Sequence, residues 1–399
     1  MHQINLLDLF WEGFQLTEHQ ILNVQQLLIH LEPSRSPHCS GCNTIVSCVH
    51  DTHRRRVRER DLFDHRVWLD VPVRRVKCPR CGVRIEQIDW LDGRRHMTMA
   101  MRCHAEALVR LLPIKHVADL LGLHWHTVKQ IDKQRLQREV AEPDRSRLRY
   151  LLMDEFALHK GHRYATVVSC AETQQVIWVG EGRSRRAIRP FFTWLGEACT
   201  QIKAVGMDMN TAFDLEVQKH CPQAAVVYDL FHVVAKFGRE VIDRVRVDQA
   251  NGLRENRPAR KIIKRSRWLL LRNRHNLTHE QSVHLDELLA ANQPLTTVYL
   301  LKTQLKELWY APSRAVARDR WCEWYRLAME SGLKPLMTFA KRLKPYLEGI
   351  VASAQYRLHT SVLEGMNNRI KVIKRMAYGY RDNEYFFLKI KAAFPGKVR

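Results

Sequence analysis

A chain of 399 residues is long enough for two or three domains around a sizeable core. Hydrophobic residues make up 45%, which excludes a disordered chain, and 65 Lys and Arg against 42 acids leave a net charge of +23, which points to DNA or RNA as partner. No N-terminal stretch has the basic start and apolar run of a leader peptide, and no window approaches the roughly 20 apolar residues of a membrane helix. A soluble, cytoplasmic protein without a membrane partner is expected.

In chain order, apolar Ile21, Leu22, Val24, Leu27, Leu28 and Leu31 suggest a helix from Glu18 to about Leu31, broken by Pro33 and Pro37. Cys39-x-x-Cys42 and Cys78-x-x-Cys81 follow. Each pair offers two thiolates from a tight turn, and two such turns complete a tetrahedral structural Zn2+ site. A redox dithiol needs only one such pair beside a βαβ pattern. Cys48, His38, His50 and His53 lie nearby and rank lower as ligands. Between the pairs Val67, Leu69, Val71 and Val73 alternate with Arg66, Trp68, Asp70 and Arg74, the period of a half-buried strand. Knuckles linked by strands read as a zinc ribbon.

From 97 to about 137 the pattern is helical, and Ala118, Gly122 and Val128 stand at helix-turn-helix spacing. The small residue lets two helices touch, the glycine makes the turn, and the β-branched residue packs the second helix back. That second helix offers Trp125, His126, Thr127, Lys129 and Gln130 to a major groove.

At Arg149 the period changes. Strands are expected over Tyr150–Phe156, Tyr164–Cys170 and Val176–Val179, then a helix from about Arg186 to Cys199, then strands over Lys203–Met207 and Ala224–Tyr228. Three antiparallel strands, a helix and a further strand open a ribonuclease-H-like sheet. Beyond Asp229 the chain reads as helical for more than a hundred residues, with a basic run carrying Arg260, Lys261, Lys264, Arg265 and Arg267 that suits phosphate contact.

Asp154 and Asp208 each follow an apolar run, so both are expected at strand ends on the sheet's edge. Glu364 opens a helix capped by Thr360 or Ser361 and shares a face with Asn367, Asn368 and Lys371, while Val362, Met366, Ile370 and Ile373 form an apolar stripe. Three such carboxylates suit two Mg2+ or Mn2+ ions about 3.5–4 Å apart and phosphodiester chemistry. Plainer roles remain open: Asp208 as a helix cap, Glu364 as a surface acid, and Glu155 rather than Asp154 as the ligand, since one residue of register turns a strand side chain to the other face.

Several blocks together resemble, nearly end to end, the ISL-three family of bacterial insertion-sequence transposases. They are Asp154-Glu155-Phe156-Ala157, Lys160-Gly161-His162-Arg163-Tyr164, Trp178-Val179-Gly180-Glu181-Gly182-Arg183-Ser184 and Asp229-x-Phe231-His232-Val233. Ser266-Arg267-Trp268-Leu269-Leu270, Leu363-Glu364-Gly365-x-Asn367-Asn368-x-Ile370-Lys371 and Arg375-x-Ala377-Tyr378-Gly379-Tyr380 continue the match. The resemblance implies a multidomain α/β chain. An N-terminal segment with a zinc ribbon (1–95) and a helix-turn-helix (96–145) would precede a ribonuclease-H-like DDE catalytic domain (146–232 plus 355–385). An all-α insertion (233–354) would interrupt that domain, and 386–399 would form a C-terminal tail.

The resemblance further implies Asp154, Asp208 and Glu364 as the catalytic triad, with Asp229 and His232 in support beside Asn367, Asn368 and Lys371. The activity implied is cleavage at the element's terminal inverted repeats and strand transfer into target DNA, by a homodimer or larger synaptic assembly at the nucleoid. Ser169-Cys170 departs from relatives, which often carry an aspartate there. The rival expectation is a catalytically inactive, sequence-specific DNA-binding regulator.

Overall fold

The computed structural model describes residues 10–93, 96–159, 161, 163–358 and 361–397. Turn residues Lys160 and His162 and the capping side chains of Thr360 and Ser361 lie outside that description. The chain forms two compact units, Met1–Glu139 and Val140–Arg399.

The first unit contains strands β1 (Phe14–Asn23), β2 (Gln26–Pro33), β3 (Val49–Arg58), β4 (Arg66–Cys78) and β5 (Gly82–Ile85). They lie in the order β1-β2-β4-β3, with β5 also on β4. The helix expected over Glu18–Leu31 is therefore a β-hairpin. The apolar residues of that segment sort by strand and not by helix face: Ile21 and Val24 are exposed, whereas Leu28, Ile29 and Leu31 are buried. Asn23 makes the turn by accepting the Gln25 N–H at 2.9 Å, and β2 gains a parallel ladder to β4 that outweighs local helical periodicity. On β4, Val67, Leu69, Val71 and Val73 are all buried, as their alternation requires.

Helices α1 (Met99–Leu108), α2 (Ile114–Leu121) and α3 (Trp125–Glu139) follow. Gly122 ends α2 with φ at +62°, and Ala118 and Val128 are buried in the small core beneath. The buried Arg58 guanidinium donates to the Val67 carbonyl at 3.1 Å and the Leu121 carbonyl at 3.2 Å, tying sheet to helices.

The second unit is built on β6 (Tyr150–His159), β7 (Arg163–Cys170), β8 (Val176–Glu181), β9 (Ala204–Met207) and β10 (Ala225–Tyr228), ordered β10-β9-β6-β7-β8. β6, β9 and β10 are mutually parallel; β7 runs antiparallel to β6 and β8. α4 (Arg185–Leu195) and α5 (Thr211–His220) connect strands, and α6 (Leu230–Phe237) leaves the sheet. A helical block follows: α7 (Asp243–Gly252), α8 (Arg257–Arg265), α9 (Arg267–Leu271), α10 (His279–Ala291), α11 (Gln293–Glu307), α12 (Arg314–Glu330), α13 (Lys334–Leu343) and α14 (Leu347–Ala352). The chain returns as α15 (Ser361–Met376) and α16 (Asn383–Ala393).

The strand period of two divides β6 between two cores. Leu151 and Met153 pack with Phe191, Phe213 and the helical block, whereas Leu152 and Phe156 pack with Leu363, Met366 and Ile370 of α15. Asp154 lies in phase with Leu152 and Phe156, so it faces α15. The segment from 386, expected as a tail, instead belongs to α16, where Phe386 and Ile390 fill the α15-side core.

Candidate active site and metal centres

Asp154 is not at a strand end, as its apolar run suggested, because β6 continues to His159. The parallel neighbour β9 stops at Met207, opposite Met153, so Asp154 and Asp208 are the next residues along two adjacent strands. Asn210, not Asp208, caps α5, accepting the Ala212 N–H at 3.0 Å. Asp208 is thereby left to pair with His232.

Asp154 accepts from its neighbour's backbone, Glu155 N–H, at 2.7 Å and from Asn367 Nδ2 on α15 at 2.6 Å. Burial, reinforced by the charge of Asp208, pushes its pKa up to about 6. His232 stands between acids: its Nδ1 is bonded to Asp208 and lies 2.8 Å from Asp229. Burial opposes its protonation, but the two carboxylates overcome that and raise its pKa to about 10. Asp229 in turn caps α6 through the Phe231 N–H at 2.8 Å.

The donor atoms of Asp208, Asp229 and His232 lie within 4.8 Å of one another. Of the three expected acids only Asp208 belongs to this cluster; Asp154 and Glu364 lie outside it. Glu364 is exposed, one helical turn before Asn367, and makes no hydrogen bond or ion pair among the described residues. Asn368 and Lys371 are likewise exposed, joined by a 3.3 Å hydrogen bond from Lys371 Nζ. Glu155, the next residue along β6, is held instead by Arg183, which donates to it at 2.6 Å. Reading the sequence did not single out Arg183; its place in the Gly-Glu-Gly-Arg-Ser block was the available signal. Ser169 is fully buried on β7 opposite Leu152, its hydroxyl without a partner among the described residues.

In the first unit, the sulfurs of Cys39, Cys42, Cys78 and Cys81 converge within 4.8 Å, with Cys42 and Cys78 at 3.6 Å. The Gly41 N–H donates to Cys39 Sγ at 3.4 Å. Hydrogen bonding from Thr44 holds Cys42 down at about 6, while hydrogen bonding to Cys42 pushes Cys81 up to about 12. Four thiolates this close need a cation, and all-sulfur donors suit zinc. Cys48, His38, His50 and His53 are outside the cluster; His50 and His53 pair with Asp51.

On α3, Trp125, His126 and Gln130 are exposed and Thr127 and Lys129 half-buried. On α8, Lys261, Lys264 and Arg265 are exposed and Arg260 is half-buried, while Arg267, opening α9, is held by Asp243 at 2.9 Å. Among the described residues, no helix is long and apolar enough to cross a membrane.

Three family models match in chain order. Residues 35–81 match a zinc-finger of transposase IS204/IS1001/IS1096/IS1165, and residues 86–136 a helix-turn-helix domain of transposase family ISL3. Residues 151–390 match the transposase domain of the same family. The chain is 56% identical over 376 residues, 94% of its length and 93% of the relative's, to the transposase for insertion sequence element IS1001 of Bordetella parapertussis. It is 26% identical over 353 residues, 82% of its length and 79% of the relative's, to the transposase for insertion sequence element IS1557 of Mycobacterium tuberculosis. The zinc ribbon, helix-turn-helix and transposase domain thus follow one another as the residues indicated, and the chain belongs to the ISL3 family of insertion-sequence transposases.

Proposed function

We propose that this DNA-binding transposase is of the DDE type, with a ribonuclease-H-like catalytic domain interrupted by an all-α insertion between β10 and α15. Asp154, Asp208 and Glu364 hold Mg2+ or Mn2+. The observation that carries the reading is the meeting of adjacent strands β6 and β9 at two carboxylates, with α15 reaching them through the Asn367–Asp154 hydrogen bond.

The residues fit a divalent cation. Their donors are hard oxygens, the two acids crowd each other, and the buried Oδ1 of Asn367 beside Asp154 has no partner among the described residues. Bound there, the metal supplies Lewis acidity towards phosphate oxygens and an activated nucleophile. His232 donates through one nitrogen to two acids, so it serves as their counter-ion and not as a ligand. Glu364, exposed on the first turn of α15 one turn before Asn367, is the third acid of this set.

The zinc ribbon and helix-turn-helix bind the terminal inverted repeats, and exposed Lys261, Lys264 and Arg265 add phosphate contacts. Cleavage leaves 3′ hydroxyls that attack target DNA. Two ends must be held together, which calls for a homodimer or larger synaptic assembly, acting in the cytoplasm at the nucleoid. The test uses a supercoiled plasmid carrying the element with its native flanks. Breaks at the element's ends should require Mg2+ or Mn2+ and vanish in Asp208→Asn. End binding without breaks by folded, zinc-loaded wild-type protein would favour the regulator instead.

A further inference from the structure

The face of α15 that carries Glu364 and Asn367 continues beyond the carboxylates. Asn367, Lys371, Lys374, Arg375 and Tyr378 recur at helical spacing along one wall of a groove of about 620 Å3. Phe156 and Ile370, both buried, form part of its apolar lining. The groove starts at Asn367, bonded to Asp154, follows α15 for about 14 Å to its end at Met376 at 1.5 Å per residue, and closes on Tyr378 in the turn beyond.

Its charge is one-sided. The acid on the groove, Glu155, is already held by Arg183. Lys374 is tied to the Ala157 carbonyl at 3.0 Å, but Lys371 and Arg375 project into solvent. At the far end Tyr378 is 93% exposed, with φ at +53° in the left-handed region where glycine is the easy choice. A large aromatic displayed at some backbone cost, at the end of a basic, apolar-lined groove, is the combination that binds unpaired nucleic acid: cations for phosphates and a ring for any base's π-face. Paired bases remain stacked inside a duplex and cannot lie on such a ring.

We propose that this groove receives an unpaired stretch of the DNA strand running from the carboxylates, with Lys371 and Arg375 on its phosphates and Tyr378 stacked on one of its bases. The inference rests on the reading of Asp154 and Asp208 as the catalytic centre.

The probe is an end fragment of the element carrying 5-iodouracil in an unpaired overhang, bound to full-length protein with Ca2+ and irradiated. Iodouracil couples to stacked aromatic rings, so the crosslinked peptide should contain Tyr378. Crosslinking should persist in Tyr378→Phe and fall at least tenfold in Tyr378→Ala, with cleavage in Mg2+ falling about tenfold in the alanine variant and recovering in the phenylalanine variant. Crosslinks confined to other peptides, or an alanine variant that crosslinks and cleaves like wild type, would overturn the proposal. Wild-type protein that crosslinks at Tyr378 yet never cleaves would contradict the catalytic reading while upholding the groove.

Discussion

Replacing Asp154 by Asn should stabilise the metal-free protein. In the folded chain the Asp154 carboxyl is buried beside Asp208, and its pKa rises from the ordinary 3.8 to about 6. A raised carboxyl pKa means that the folded state binds the proton more tightly than the unfolded state. The penalty is absent below the unfolded value, grows as pH rises between the two values, and is complete above about 6. A rise from 3.8 to about 6 corresponds to roughly 3 kcal/mol at neutral pH.

Asparagine removes that charge, but Glu155 N–H and Asn367 Nδ2 bond different oxygens of Asp154, and one of those positions becomes an NH2 that accepts nothing. Losing one costs about 1–2 kcal/mol, leaving a net gain of about 1–2 kcal/mol. The assay is urea denaturation of wild type and Asp154→Asn in magnesium-free buffer, following the transition of the Val140–Arg399 unit, at pH 7.5 and at about pH 4. The variant should be more stable at the higher pH and lose that advantage at the lower one. Equal or lower stability at pH 7.5 would refute the view that the Asp154 carboxylate is held charged against its burial and the neighbouring charge of Asp208.

Glu364→Gln should change folding stability by less than about 0.5 kcal/mol, since the side chain is exposed and unpartnered, yet reduce plasmid cleavage to background; denaturation and cleavage on one preparation separate the two effects. Cys42→Ser should lower bound zinc below one per chain by elemental analysis and lower the melting temperature of the Met1–Glu139 unit. Gly122→Ala should destabilise the same unit by about 1–2 kcal/mol, read by thermal melting, because its left-handed backbone disfavours a Cβ that would also meet the Arg66 guanidinium at 2.7 Å.

Signals local in sequence were the legible ones. Paired cysteines, the Ala118–Gly122–Val128 spacing and the run of short strands from Tyr150 each depend on neighbours within a few residues. The first hairpin was not legible, because Ile21, Leu22, Val24, Leu27, Leu28 and Leu31 satisfy a helical period. Only the ladder from β2 to β4, some forty residues away, decides for strands. Similarly, nothing near Asp154 reveals that β6 continues to His159, since the extension is set by pairing with β7. The insertion of His232 between Asp208 and Asp229, and the reach of Asn367 to Asp154 across 213 positions, are tertiary facts that motifs mark without describing. The choice of Asp154 over Glu155 rests on the resemblance and not on alternation, since the sequence leaves the register unknown; in the structure Asp154 is the one bonded to α15.

Two sets of donors stand near the proposed metal, and anomalous diffraction from crystals grown with Mn2+ and an end-DNA fragment distinguishes them directly. The account predicts manganese coordinated by Asp154 and Asp208, with Glu364 turned inward to join them. Manganese held by Asp208, Asp229 and His232, with Glu364 still facing solvent, would contradict it.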